Sequence, residues 1–260
     1  MKELGLKELG LKEKKKIMLN LKETLESFSL SEDTRRKILN EDHPFGNHQF
    51  KNSNEEKIDK EHSIPFIPSE FKEIAQIALA GHFLVSAGTQ QITIHPTCVE
   101  FYYHEEAEGG IKDPIVYHRN PKNGSPKSIF NLGILHNHVS GIDITFEKGT
   151  HPEDAIRASL LIREFSVDGN PPDSRSTLLY NMLYSQASIF DGFSIKWVDG
   201  EEKAEVEADV RKNVAKYDEN GQKMQAKEHQ DLLDKGFTLT KDRKHIQDPR
   251  PWQFKKKKLC

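Results

Sequence analysis

Between His82 and Phe165 the chain contains a series of short segments rich in β-branched and aromatic residues. Glycine, proline, asparagine and acidic residues separate them, and they are HFLVSA, QQITIHP, CVEFYYH, PIVYHRN, GIDITFE and ASLLIREF. Segments of this length and composition, bounded by turn residues, predict β-strands. A succession of strands without intervening helices predicts an antiparallel or mixed β-sheet.

Two segments flanking this series have the periodicity of amphipathic helices. In EFKEIAQIALAG the apolar residues recur at helical spacing, with Ser69 placed to cap the helix and Gly81 to end it. STLLYNMLYSQA predicts a second helix that begins at Ser176. These helices supply apolar faces that a half-buried sheet requires.

The N-terminal part of the chain has weaker helical signals. Leu21, Leu25 and Phe28 have helical spacing, and Ser31 is placed to cap a second short helix, EDTRRKILN. Residues 41–62 are polar and contain Pro44 and Gly46, which predicts a linker.

Together these segments predict an α+β fold, with one mixed or antiparallel β-sheet domain, flanking helices and a helical N-terminal extension. We expect a charged helical extension and linker at residues 1–63 and the α+β domain at residues 64–254. A charged insert, expected to be helical, interrupts the domain at about residues 200–235, and residues 255–260 form a basic tail.

Composition limits the classes of function. The formal net charge of −3 excludes a globally basic nucleic-acid binder but leaves room for a local basic surface. The 2 cysteines exclude a disulfide scaffold and a cysteine-based zinc site. The charged N-terminus has no apolar segment of a signal peptide, and no long apolar stretch occurs, so we expect a cytoplasmic protein without a membrane partner.

The stretch LHNHVSGIDITFE suggests a metal site, because His136 and His138 would point to one face of a strand. A zinc site needs three or four ligands. The remaining candidates, among them His118 and Asp143, occur at no familiar metal-binding spacing. We therefore expect no metal, and a polar loop or pocket lining at these histidines.

The strand VEFYYHEE has a more informative pattern. Alternation places Val99, Phe101 and Tyr103 on one face and Glu100, Tyr102 and His104 on the other. The first set is typical of a core face. The second set, a carboxylate, a phenol and an imidazole in a row, either lines a pocket or faces solvent on an edge strand.

Arg163 interrupts an apolar strand, ASLLIREF. A buried guanidinium without a partner is costly, so we expect an ion pair with Glu100 or Asp143. Such a pair is either structural or part of a site.

Six segments of the chain follow one another in an order found in a known family. They are LAGHFLV at 79–85, VEFYYH at 99–104, Asp113 with His118, Asp143 with LLIREF and Arg163, SRSTLLYNML, and PWQF at 251–254. This order resembles the alkyladenine (3-methyladenine) DNA glycosylase family, which has the formyltransferase C-terminal-domain-like fold. The family counterparts are LLG-x-x-LV, VETEAY, an Asp and a His, an Asn with LLRALEP, GPGKLCQAL and PWRF, and the resemblance covers about residues 70–254.

The resemblance implies an enzyme of base excision repair, a hydrolase that flips a damaged or modified base out of double-stranded DNA. In such enzymes a carboxylate activates the water that hydrolyses the N-glycosidic bond, and neither a metal nor an organic cofactor is needed. Activity on DNA would imply association with the nucleoid. Carried over to this chain, the catalytic candidates are Glu100, Tyr102 and Arg163. The base-binding candidates are His104, His118, Asp143, Tyr103, His136 and His138.

The chain departs from the family at its catalytic position. Tyr102 stands where the family has its water-activating glutamate, and His104 stands where the family has a stacking tyrosine. A phenol cannot replace a carboxylate base at neutral pH unless its pKa falls far below about 10. Activity would then require Glu100, or in second place Glu105, to act as the general base. The alternative is a catalytically inactive member of the fold that binds nucleic acid or a protein.

Overall fold

The structure of the chain is a computed structural model. It describes residues 20–39, 66–113, 116–121, 124–138, 141–185, 187–188, 190, 192–211, 238–239, 246–247 and 250–257. The linker predicted over 41–62 lies outside these residues. No described helix is long and apolar enough to cross a membrane.

The described residues form ten β-strands, four α-helices and one short 3-10 helix at Pro152–Asp154. The helices are α1 (Leu21–Ser27), α2 (Glu32–Leu39), α3 (Ser69–Ala78) and α4 (Ser176–Tyr184). The strands are β1 (His82–Ala87), β2 (Gln90–Glu105), β3 (Leu135–His138), β4 (Gly141–Thr145), β5 (Ile156–Val167), β6 (Phe193–Val198), β7 (Val206–Asp209), β8 (Thr238–Leu239), β9 (Ile246–Gln247) and β10 (Gln253–Lys256).

Eight of these strands form one sheet in the order β3-β4-β5-β2-β1-β6, with β10 pairing with both β2 and β7. Every described strand pair is antiparallel. Strands β8 and β9 pair only with each other. The predicted α+β class with flanking helices is therefore confirmed, and the open choice between a mixed and an antiparallel sheet is decided for the antiparallel one.

Strand β2 is the central element of the sheet. QQITIHP and CVEFYYH, predicted as two strands, are one strand of 16 residues that pairs with β5 along most of its length. Its register against β5 shifts twice, between Pro96 and Cys98 and between Cys98 and Val99. These bulges let the strand continue past a proline, which has no N–H group for the ladder. On its other side β2 pairs first with β1 and then with β10.

One face of the sheet, which we call the helix-covered face, carries the core. Val99, Phe101 and Tyr103 of β2 are at most 2% exposed, as alternation predicts. Helices α1, α3 and α4 contribute their buried apolar residues to the same hydrophobic cluster. Phe71 of α3 stacks on Phe101, with ring centroids 4.6 Å apart.

The predicted starts of α2, α3 and α4 are correct to within one residue, but only one of the two predicted caps forms. Ser31 caps α2, because its Oγ accepts the Thr34 N–H at 3.2 Å. Ser69 is instead the first helical residue of α3, which has no side-chain cap. Helix α4 begins at Ser176, as predicted.

The N-terminal helices share the core of the domain that the sequence predicts to begin at residue 64. Leu21, Leu25 and Phe28 are buried in the same hydrophobic cluster as the sheet. Arg35 of α2 forms an ion pair with Glu105 at the end of β2. Residues 20–39 therefore pack as an integral part of the domain, because their apolar positions are covered by the sheet and α3.

Three local predictions are wrong. Residues 116–120 of the predicted strand PIVYHRN form a turn and irregular chain. Within the insert predicted to be helical, Val206–Asp209 is strand β7, which pairs with β10; residues 212–235 lie outside the described part. The predicted basic tail begins within a strand, since β10 extends to Lys256. In the last two cases sheet pairing between distant segments overrides the local charge pattern.

Candidate functional site

The other face of the sheet, which we call the polar face, is lined by charged and polar side chains. Glu100, Tyr102 and His104 of β2 point to it, as the alternation predicts. The register extends this face from β2 to four other strands of the sheet. Directly opposite one another lie His136, Asp143, Leu161, Glu100 and Gln253, on β3, β4, β5, β2 and β10 respectively.

The centre of the polar face is buried. Glu100 is 0% exposed and Asp143 2%. Charges removed from water in this way must be paired, because an unpaired buried charge is strongly unfavourable. The chemistry of the polar face therefore depends on which groups pair with Glu100 and Asp143.

Arg163 is the partner of Glu100, which confirms one of the two predicted pairings. Its Nε lies 2.7 Å from Glu100 Oε2. Arg163 is the extra residue of β5 at the second bulge, where Val99 pairs with Ile162 and Cys98 with Glu164. Burial alone would lower the pKa of Arg163, but the Glu100 carboxylate outweighs it and the pKa is raised.

Tyr102 donates a hydrogen bond to the Glu100–Arg163 pair and cannot act as a general base. Its hydroxyl donates to Glu100 Oε2 at 3.0 Å. Burial, followed by the negative charge of Glu100, raises the pKa of Tyr102 well above its ordinary value. The Arg211 guanidinium lies 4.8 Å from the centre of its ring. Tyr102 is therefore a protonated phenol.

His104 lies on the same face, and the protein engages both of its ring nitrogens. Nδ1 accepts the Asp113 N–H at 3.0 Å, and Nε2 lies 3.4 Å from Glu106 Oε2. Burial lowers the pKa of His104, against the opposing effect of Glu106. Its imidazole therefore fixes the loop that follows β2.

Asp113 connects this loop to two arginines that are distant in sequence. Its carboxylate lies 2.7 Å from Arg211 Nη1 and 2.8 Å from Arg250 Nη2. Burial would raise the pKa of Asp113, but the two guanidinium groups hold it well below its usual range. No local pattern marks Arg211 as a functional or structural residue, and sequence analysis missed it.

The β3–β4 hairpin brings an aromatic cluster to the edge of the polar face. The rings of His138 and Tyr117 are stacked, 5.3 Å apart at 14°, and His136 lies 5.8 Å from each of them. Tyr117 is 49% exposed, and Lys127 Nζ lies 5.6 Å from its ring centre. Exposed aromatic rings with a nearby cation can stack on a planar base.

Two imidazole–carboxylate pairs adjoin this cluster, one of them formed by His138 itself. His138 Nε2 is 3.0 Å from Asp143 Oδ2, and His118 Nδ1 contacts Glu147 Oε1. Burial, together with the neighbouring histidines, lowers the pKa of His136 despite the opposing effect of Asp143. His136 is therefore a neutral imidazole at physiological pH.

Arg157, which sequence analysis also missed, holds the loop that carries His118. It is fully buried, and its guanidinium lies 3.0 Å from Glu147 Oε2 and 3.1 Å from Glu106 Oε1. It also donates to the side-chain oxygen of Asn120 and to the main-chain oxygens of Lys127 and Ser128. The only sequence signal for this role was a charged residue at an inward position of a strand.

One predicted base-binding residue, Tyr103, does not lie at this site. Its ring packs 6.0 Å from both Phe28 and Phe71 in the core, and its hydroxyl donates to Glu105 at 2.8 Å. Adjacent residues of a strand point to opposite faces, so Tyr103 cannot share a pocket with Tyr102. Assigning it to base binding is wrong.

Within the described residues no group of three or more His, Cys, Asp or Glu side chains is arranged to hold a metal ion. Two surface depressions of the described part, of about 610 and about 150 Å³, lie beside α2 and between the N-terminal helices and the sheet. Neither is lined by the polar face. Comparison of the chain with protein-family models, curated proteins and solved structures gives no match.

Proposed function

We propose that the protein is a DNA N-glycosylase-like protein that accepts a base flipped out of double-stranded DNA on its polar face. The observation that carries the proposal is the convergence of Tyr102 and Arg163 on one oxygen of the Glu100 carboxylate. A buried carboxylate held by two donors on a polar sheet face is typical of a site built for proton transfer. The choice of a nucleic acid as the substrate rests on the resemblance of the sequence to the glycosylase family.

In the proposed reaction Glu100 accepts a proton from water as the water oxygen bonds to the anomeric carbon of the sugar. The N-glycosidic bond breaks, and its electron pair leaves with the base, which takes up a proton from solvent. Arg163 and Tyr102 act as positioning residues, because they fix the orientation of the Glu100 carboxylate. The Tyr117 ring, which is exposed and stacked on His138, is available to stack on the flipped base.

The test is the formation of abasic sites in alkylated duplex DNA under single-turnover conditions. We expect base release by the wild-type protein and a loss of roughly 10²–10⁴-fold in Glu100→Gln. Glu105→Gln is a matched control, because Glu105 lies on the same strand and pairs with Arg35 away from the polar face. An equal loss in both variants, or full activity of Glu100→Gln, would contradict the role of Glu100.

A second candidate function is a catalytically inactive, nucleic-acid-binding member of the same fold. The protonated Tyr102 at the family's glutamate position, and a Glu100 that is 0% exposed, favour this candidate. It predicts no base release from a broad panel of lesions while binding to DNA persists. That binding should weaken steeply with salt, because phosphate contacts release counterions.

A further inference from the structure

Several buried polar atoms of the polar face have no hydrogen-bond partner among the described residues. They belong to the β3–β4 hairpin, to β5 and to the loop before β3, and are His136 Nδ1, Asp143 Oδ1, Ser159 Oγ and His118 Nε2. Each such atom is unfavourable when left unsatisfied, because it has lost its hydrogen bonds to water. Native proteins contain few of them, and a group of them on one face indicates missing polar partners.

Asp143 is the most informative member of the group. It is 2% exposed, its Oδ2 lies 3.0 Å from His138 Nε2, and its Oδ1 has no partner within the described part of the chain. An ionised carboxylate only accepts hydrogen bonds. The missing partner of Oδ1 is therefore a donor.

Two donors of the polar face are engaged by Glu100. The Tyr102 hydroxyl and Arg163 Nε both approach Glu100 Oε2. His136 lies opposite Asp143 on β3 but makes no hydrogen bond to Oδ1. Asp143 therefore lies next to the His138 ring that stacks on Tyr117, and its Oδ1 is an acceptor that no described residue satisfies.

We propose that Asp143 Oδ1 accepts a hydrogen bond from an N–H donor on the edge of the bound base, so that the site selects bases that carry such a donor. This inference rests on the proposed function, because it takes the flipped base as the ligand. A base without the donor leaves the carboxylate oxygen buried and unpaired. Sites of this kind discriminate strongly against analogues that lack the hydrogen-bonding group.

The experiment measures binding of the protein to three DNA duplexes. One contains a single unpaired adenine, one contains a single unpaired unsubstituted purine, and the third is fully paired. Adenine has an exocyclic amino group, whereas unsubstituted purine has no N–H donor on that edge. Since a hydrogen bond to a charged group contributes about 1.5–3 kcal/mol, we expect wild-type protein to prefer the adenine duplex by roughly 10–100-fold.

Two variants complete the measurement. Asp143→Leu is expected to bind the adenine and purine duplexes equally, because it removes the acceptor. Asp154→Asn, an exposed carboxylate in the 3-10 helix before β5, should keep the wild-type preference. Thermal unfolding checks that both variants fold, and if Asp143→Leu does not fold, the wild-type comparison alone decides.

The outcomes separate this inference from the proposed function. If wild-type protein binds both unpaired bases more tightly than the paired duplex but equally well, Asp143 does not select the donor and the inference is overturned while base binding stands. If no duplex with an unpaired base binds more tightly than the paired one, the proposal that the protein accepts a flipped base is wrong. The inference about Asp143, which depends on that proposal, is then wrong as well. A preference that survives in Asp143→Leu also overturns the inference.

Discussion

Arg163 and Glu100 form a buried ion pair across strands β5 and β2, with Nε 2.7 Å from Oε2. Glu100 is 0% exposed, so replacing Arg163 by Met leaves its charge without its main cationic partner. We expect the free energy of unfolding to fall by about 3–5 kcal/mol, as for other broken buried ion pairs. Urea unfolding at pH 7 measures it. Lys203→Met breaks the exposed pair with Glu73 and should cost less than about 1 kcal/mol. Equal effects would mean that the Arg163 pair is not desolvated.

Asp113 should make the stability of the protein depend on acid pH. Arg211 and Arg250 hold its pKa below the ordinary value in the folded state, against the effect of burial. A folded-state pKa below the unfolded value of about 3.9 gives stability that is complete above that value and is lost as pH falls below it. In urea unfolding from pH 2 to 7, wild-type stability should therefore fall more steeply below about pH 4 than that of Asp113→Asn.

At neutral pH the same variant should already be destabilised by about 3–5 kcal/mol, because two buried guanidinium groups lose their carboxylate. The exposed Asp154→Asn should follow the wild-type curve throughout. Parallel pH profiles of wild type and Asp113→Asn would show that Asp113 does not contribute the acid dependence.

Gly141 fixes the entry into β4, two residues before Asp143. Its φ is +149°, and a Cβ at this position would lie 2.8 Å from the Leu161 side chain and 3.3 Å from Ile162 O. We expect Gly141→Ala to lower the free energy of unfolding by about 1–3 kcal/mol through overpacking and backbone strain. Gly192→Ala is the control, since a Cβ there meets nothing within 4 Å. Thermal and urea unfolding of both variants measure the difference, and a neutral Gly141→Ala would contradict the close packing of β4 on β5.

Arg157 should hold the loop that carries Tyr117 and His118. Its guanidinium donates to the main-chain oxygens of Lys127 and Ser128, so Arg157→Met removes the contacts that fix this loop. Amide hydrogen exchange in residues 116–121 and 124–131 should become faster by roughly 10–100-fold, which corresponds to about 1–3 kcal/mol of lost local stability. The exposed Arg175, paired with Asp173, provides the control Arg175→Met. Unchanged exchange in this loop would show that Arg157 acts elsewhere.

The amino-acid sequence determined the features that depend on local backbone geometry. Alternation in VEFYYH separated Val99 and Phe101, which pack in the core, from Glu100 and Tyr102, which face away from it. The cost of an unpaired buried guanidinium was enough to predict a carboxylate partner for Arg163. Helical spacing likewise located α1 to α4 to within a few residues.

Tertiary structure alone decided the contacts between segments that are far apart in the chain. Asp113 meets Arg211 and Arg250 across 98 and 137 positions, and nothing in the local sequence specifies such partners. The pKa of Tyr102 rises because its side chain is buried and lies next to the Glu100 carboxylate. Only the packed sheet creates that environment. Periodicity is a property of the backbone, whereas ionisation and pairing depend on which distant groups the fold brings together.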